Sequence, residues 1–496
     1  MKSVWRHIGA VSALALSLGF GGMAHADTAP ANTGTAAAIM QSTAALQAGK
    51  CDEALPFLAQ LWDDAALQKA DPDMAEQFRF QRVLCTLQTG GISAALTLST
   101  ENIHHDGASI ASYDLHTFLL LSNKQVVDAA GTLDEAMTRF PQTANKLTDM
   151  SVIATLLFQS DEAQRRALLA HLERVRWQVH DASARLVIDI MRLDGLRAAV
   201  TANDKPLADL YRTDIAGDAL VYALIEGDGT LSDPDAPAIP ITPVVQQQIQ
   251  DVMAHVAGEP TDLMGFEYLL NLERSADQNQ AALTQLNGML NLIAANGLDK
   301  FQQPNVYPTL VGDKASLLLD LQKPADAVQV FQEGTTRMQG AGITSFVLSY
   351  MDYLVSNGQE KDAFALESHL DFQNMSAGQK QELASIEACA YAYQKDASRY
   401  NLTLAATADE SGVRAVKPYL CAGDQDGAAA AIIARINDGD SRLLAIMMMQ
   451  DGLPAIAHTD RDRAYIAALQ AVKKRPDVVA AAKAQKIVIR TWPLRF

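Results

Sequence analysis

The stretch Gly49-Lys50-Cys51-Asp52-Glu53-Ala54-Leu55-Pro56-Phe57-Leu58-Ala59-Gln60-Leu61 decides the fold. A glycine ends one helix. Five residues later an alanine sits inside the next helix, and a large apolar residue follows one turn on. Ala37 to Ala48 reads as the helix before the glycine and Asp52 to Trp62 as the helix after it. The spacing puts Ala54 and Leu58 on one face of the second helix, where a small residue admits a close neighbour and a large one fills the space beside it.

Outward from this stretch the pattern recurs. Met74 to Leu87 carries Phe78, Val83, Leu84 and Leu87 on an apolar face, and Gly90 is followed five residues later by Ala95. Tyr113 to Leu121 and Val126 to Phe140 make a hairpin whose second helix reads Ala129, Leu133 and Ala136, then Pro141. In the second half, Ala327, Phe331 and Gly334 repeat the order, as do Gly358 with Ala363 and Gly423 with Ala428 and Ile432.

These stretches resemble tetratricopeptide repeats. That family has a small residue in its second helix, a large apolar residue four later, a small one three after that and a proline five further on, and Ala129, Leu133, Ala136 and Pro141 match all four. The family's first-helix tryptophan–leucine–glycine–tyrosine set is mostly missing. The spacing is uneven: 41 residues from Ala54 to Ala95, 34 on to Ala129, and 36 from Ala327 to Ala363. The resemblance implies an all-α fold, an α-solenoid of antiparallel helical hairpins in two halves, with roughly ten to thirteen hairpins.

The N-terminus has export features. Lys2 and Arg6 precede an apolar run from Ile8 to Phe20, and Ala24-His25-Ala26 is a small-x-small cleavage site. Residues 1–26 are therefore expected to be a cleaved signal peptide, and residues 27–36 a flexible leader. No later stretch is long and apolar enough to span a membrane. Of 40 Lys+Arg and 58 Asp+Glu, cleavage would leave 38 and 58, a net charge of −20 from −18. Such a chain is repelled by nucleic acid and by anionic lipid surfaces, so neither is expected as a partner.

Four cysteines in an exported chain favour disulfides over metal ligation. They form two local groups, Cys51 with Cys85 and Cys389 with Cys421. Cys51 opens a second helix at the turn end of its hairpin, and Cys85 lies near the end of the following first helix, at the same end of the array. Cys389 and Cys421 lie near the ends of two successive first helices. Local pairing is expected, each bond contributing roughly 3–4 kcal/mol through loop entropy.

The two helical halves are expected at 37–225 and 244–485, divided by a linker at 226–243 in which Pro237, Pro240 and Pro243 oppose helix. Residues 144–225 read as helical but without the repeat signature. Within them, Asp161 to Trp177 carries Arg165, Arg166, Arg174 and Arg176, either a site for an acidic partner or a solvated face paired to Asp161, Glu162 and Glu173. The tail 486–496 alternates and is expected to form a short strand or a cap on the last helices.

The chain offers little for catalysis. No Gly-rich phosphate loop, H-E-x-x-H or G-x-S-x-G occurs. His104, His105 and Asp106, with Asp114 and His116, are the densest group of metal-ligand types, but adjacent histidines diverge on a helix or strand, and a polar turn is the expected role. No metal or cofactor is expected. Glu410-Ser411-Gly412 resembles the catalytic start of soluble lytic transglycosylases, but that family's glycine-rich continuation is absent, and Met449-Gln450 comes too far on. A helix cap is the expected role. The function expected is a non-enzymatic, periplasmic scaffold or adaptor for a protein or polymer partner in envelope assembly or secretion. The alternatives are an enzyme acting on cell-wall glycan and a small-ligand capture protein.

Overall fold

The computed structural model describes residues 33–180, 182–215, 217–232, 240–338, 343–409, 412–439 and 441–495. The expected signal peptide and most of the leader lie outside them. The described residues are helical, with isolated bridges and no strand. They form two units divided between Thr213 and Asp214, inside a helix and ahead of the expected linker.

Unit 1 opens with α1 (Thr33–Gln47) and α2 (Cys51–Leu61), then the short α3 (Ala65–Ala70) and α4 (Pro72–Ile103). Gly91, with φ 81° and ψ −179°, breaks α4 into two arms, so the break falls one residue after the expected Gly90. Next come α5 (Ile110–Ser122) with α6 (Val126–Arg139), α7 (Asp149–Phe158) with α8 (Glu162–Arg174), and α9 (Ala182–Thr201) with α10 (Lys205–Ile215). The first helices α5, α7 and α9 pack in a row, as do the second helices α6 and α8.

Unit 2 contains α11 (Ala219–Gly227), α12 (Ile241–Gly258), α13 (Leu263–Ser275), α14 (Asn279–Asn296), α15 (Tyr307–Asp320), α16 (Pro324–Arg337), α17 (Ile343–Ser356), α18 (Glu360–Ala365), α19 (Ala377–Gln394), α20 (Ala397–Ala406), α21 (Val416–Cys421), α22 (Gln425–Asn437), α23 (Arg442–Met449), α24 (Asp460–Lys473) and α25 (Pro476–Ala484). Its first helices α15, α17, α19 and α21 pack successively side by side. Each unit is thus built as a tetratricopeptide-like stack of antiparallel hairpins.

One turn closes most of the hairpins. Gly49 has φ 68°, and the next amide, Lys50, donates to Ala45 O while Gly49 N donates to Leu46 O. This is the Schellman closure, in which a left-handed residue satisfies the last carbonyls of a helix. The same pair of bonds recurs at Lys124, Asn203, Asp277, Gln322, Gly358, Lys395 and Gly423, all with positive φ. Five residues after each turn except that at Lys395 sits a buried alanine: Ala54, Ala129, Ala208, Ala282, Ala327, Ala363 and Ala428. A reversal this tight brings the second helix close to the first, and only a small side chain fits at the crossing. Gly334 meets the same constraint, since a Cβ there would lie 2.4 Å from Phe346 Cζ. Residues 144–225, expected to lack the repeat, carry it at Asn203 and Ala208 with a polar residue in the glycine position.

Both disulfides form with the expected local pairing. Cys51–Cys85 joins the start of α2 to α4, and Cys389–Cys421 joins α19 to the end of α21, with Cα separations of 5.0 and 5.2 Å.

The stretch expected as an extended linker is different where described. Residues 226–227 end α11, Pro240 caps α12, and Pro243 lies in its first turn, where a missing N–H costs nothing. Asp228 is fully buried, and Arg442 donates to both of its carboxylate oxygens at 2.7 and 3.2 Å. The tail forms no strand. It is a strap: Gly229 N donates to Lys486 O, Val488 N to Gly227 O, Trp492 N to Asp451 O and Arg495 N to Ser275 O. Gln450 anchors it, accepting from Arg490 N and Trp492 Nε1. The last residues of unit 2 are thereby tied to its first helix and to the end of α13.

Two predictions follow from the turn and the core. Lys124 is exposed and left-handed, so Lys124→Gly should stabilise the protein by about 0.5–1 kcal/mol and Lys124→Val should destabilise it by a similar amount or more, read by thermal melts. Glu273 is 1% exposed and accepts from Gln285 Nε2; burial pushes its pKa up from 4.5 to about 7. A carboxyl raised in the folded state costs stability when both states ionise, so stability should increase as pH falls from 7 toward 4.5. Glu273→Gln should raise the melting temperature at pH 8 and leave it little changed at pH 4.5, flattening the profile.

Candidate functional site

Stacked hairpins leave one side of the first-helix row uncovered, and the two units use that side differently. In unit 1 it is apolar. On α7, Met150 and Leu157 are exposed with Ile153 half-buried between them, at the i, i+3, i+7 spacing of one helix face, and Phe158 extends the patch. On α9, Val187 and Ile190 are exposed beside half-buried Met191, whereas on α5 the half-buried Leu115 and Phe118 pack against the core of Trp62, Val83, Leu87, Ala95 and Leu119. The opposite faces of the same helices hold Tyr113, Leu119, Val152, Leu156, Ile188 and Leu193 in the core. Helices α7 and α9 are therefore apolar on both faces, one of which packs within the unit. A buried ionic group holds α9 in place against α8: Arg192 donates to Glu173 at 2.7 Å and to Asp189 at 2.9 Å.

In unit 2 the corresponding side is roofed. Helix α24 packs against α17, α21 and α22. Arg461 fastens it, donating to Val355 O at 2.6 Å and to Glu360, with its guanidinium 4.0 Å from the centroid of Tyr393. His458 Nε2 lies 2.9 Å from Asp320 Oδ1. Beneath the roof lie two adjoining cavities of about 440 and 360 Å³, which share Asp352 of α17, Glu382 of α19, Lys417 of α21 and Tyr465 of α24.

Lys417 is paired with Asp352 and lies 5.9 Å from the centroid of the Tyr465 ring. Burial alone would lower the ammonium's pKa; the Asp352 carboxylate outweighs it and holds the pKa above its ordinary value. Burial, then the charge of Asp352, pushes Glu382 up against the opposing pull of Lys417. Burial also raises the phenols of Tyr353, Tyr393 and Tyr465. The lining thus has fixed ion pairs and neutral phenols.

The other residues singled out by sequence fall elsewhere. His116 is buried against Ser99, and burial, followed by the charge of His104, pushes its pKa down to about 4. His104 Nδ1 meets Thr100 O, and Asp114 accepts from Thr148. Among the described residues no three metal-ligand side chains converge. Arg165, Arg166, Arg174 and Arg176 lie on or just after α8, a second helix; Arg166 pairs with Glu162 and Arg174 with Asp204 at 3.8 Å. Glu410 and Ser411 lie outside the described residues. Met449 is buried and Gln450 anchors the strap. The unit 1 face is hidden in the sequence because Met150, Leu157, Val187 and Ile190 look like further core positions, and the unit 2 cavities are hidden because even the four residues they share, Asp352, Glu382, Lys417 and Tyr465, come from four helices up to 113 residues apart.

No protein-family model matches the chain, and no curated protein matches it. Among solved structures, the chain is similar to one described as the crystal structure of the APC/C hetero-tetramer Cut9–Hcn1, at 10% identity over 91% of this chain and 96% of that one, with a TM-score of 0.25. No described helix is long and apolar enough to cross a membrane.

Removing the Arg461 fastener should loosen the roof. Arg461→Ala should increase cleavage by proteinase K within residues 451–459 several-fold with the far-ultraviolet circular dichroism unchanged. Unchanged cleavage would mean that the roof is held by other contacts.

Proposed function

We propose that the protein is an exported, non-enzymatic scaffold that binds a segment of a protein partner in the periplasm. The observation that carries this reading is the uncovered apolar side of α7 and α9. Soluble proteins seldom leave contiguous large apolar side chains in water without a use for them. An amphipathic helix suits the surface, because its apolar anchors recur at the spacing of Met150, Ile153 and Leu157. The export features at residues 1–26 support the compartment, and two disulfides are at home there. The basic cluster has a subsidiary place in the proposal: Arg165 and Arg176 hold no acidic partner among the described residues and would meet an acidic flank of the same partner.

The test is in-cell cross-linking of the mature protein followed by purification from the envelope fraction. A stoichiometric protein partner is expected, with cross-links on α7 and α9. Leu157→Asp combined with Ile190→Asp should abolish its recovery while the melting temperature stays within a few degrees, since both side chains are already exposed. Recovery of the protein alone, or a partner retained by the double variant, would overturn the reading.

A further inference from the structure

The cavities of unit 2 do not involve the apolar face of unit 1, and an inference about them goes beyond the scaffold reading. The first, of about 440 Å³, is a cleft partly open to solvent. Its volume falls in the range of small-molecule sites, about 300–1,000 Å³. Its wall carries charges of both signs, and they are not all matched within it.

Lys417 and Asp352 pair with one another. Arg435 of α22 is placed differently. Its side chain is 14% exposed, and it lines the first cavity but not the second. Its acidic partner among the described residues is Asp409, 3.5 Å from one terminal nitrogen and outside the cavity wall. Its Nε is buried and has no hydrogen-bond partner. A guanidinium carries five N–H donors, and a buried donor left unmatched costs free energy that an acceptor would return. A carboxylate is an acceptor whose geometry suits a guanidinium. The chain's net charge of −18 opposes a multiply charged anion such as phosphate.

Glu382 of α19 is the counterpart. It is exposed, lines both cavities, and makes no hydrogen bond or ion pair among the described residues. Asp352 lines both cavities as well, and its charge adds to the burial that pushes the Glu382 carboxyl up. Two carboxylates at the junction of the cavities thus share one ammonium, that of Lys417. A ligand ammonium beside Glu382 would relieve their repulsion. A simple carboxylate would leave this acidic excess in place, a simple amine would leave Arg435 unmatched, and an uncharged ligand would answer neither. Ile386, Val416 and Met448 give the same wall an apolar stretch for a short aliphatic body.

From these features we infer that the cleft walled by α19, α21 and α22 binds a zwitterion the size of an amino acid or a dipeptide, its carboxylate held by Arg435 and its ammonium by Glu382 beside the Asp352–Lys417 pair.

The test is isothermal titration of the full mature chain with the L and D forms of alanine, leucine and methionine and with L-alanyl-L-alanine. Each is set beside its C-terminal amide and the acid that lacks its amino group, with glucose and phosphate as comparators. At least one zwitterion should bind with a Kd below about 1 mM, tenfold or more tighter than its amide or its desamino acid. Glu382→Gln, at an exposed position, should leave the unliganded melting temperature within a degree or two and bring the zwitterion's affinity down to that of the desamino acid. Arg435→Gln should bring it down to that of the amide. Lack of binding by every zwitterion, an amide or desamino acid that binds as tightly as its parent, or an affinity indifferent to Glu382→Gln would each overturn the inference. The Glu382 variant decides the matter even where Arg435→Gln, which also removes the contact to Asp409, weakens folding.

Discussion

The left-handed turn that closes most of the hairpins is the constraint on which the stacks depend. It satisfies two end carbonyls of the first helix without water, reverses the chain in three residues, and sets the crossing at which the second helix meets the first. Once the crossing is this close, the residue five positions on must be small, and Ala54, Ala129, Ala282, Ala327, Ala363 and Ala428 are each completely buried. The large residue one turn further, Leu58, Leu133, Leu286, Phe331 or Ile432, then fills the space beside it and is buried as well. Turn, small residue and large residue are consequences of a single geometric condition.

Stacking by this rule uses one face of every first helix and leaves another to be used otherwise. Unit 1 lines the remaining face with exposed apolar side chains and supports it from behind with a buried ionic group in which Arg192 bridges Glu173 and Asp189 and Arg185 also pairs with Asp189. Unit 2 instead folds α24 over that face. The roof is held by charge-assisted bonds and a cation–ring contact rather than by close apolar packing, so space remains beneath it. The strap from residue 486 onward fastens the end of the unit to α11, with Gln450 using both ends of its amide to hold backbone and indole.

Much of the fold was legible because the repeat's small and large residues are close in sequence. Ala129, Leu133 and Ala136 declare a packing face within two helical turns. The turns were legible where glycine occupies the left-handed position, at Gly49, Gly358 and Gly423, and illegible where Lys124, Asn203, Asp277, Gln322 or Lys395 does so. The strain of a non-glycine residue there is offset by the two backbone bonds it permits, and nothing in the residue's identity announces it. The apolar face of α7 was illegible for a different reason: Met150 and Leu157 continue a hydrophobic helix, and only the position of neighbouring helices shows which apolar side has no partner. Prolines at 240 and 243 suggested a linker, yet proline at a helix start satisfies the same local rule and keeps the chain in unit 2.

The sequence by itself determined the class of the fold, the hairpin unit, the pairing of Cys51 with Cys85 and of Cys389 with Cys421, and the acidity of the chain as a whole. Those properties depend on residues near one another in the chain or on composition summed over all of it. Tertiary structure alone decided which first-helix faces stay open, that α24 roofs one of them, and that Asp352, Glu382, Lys417 and Tyr465 share a cavity. Such features arise where helices distant in sequence meet, and that meeting is governed by the accumulated angle of many hairpin crossings, to which each pair of residues contributes only a part.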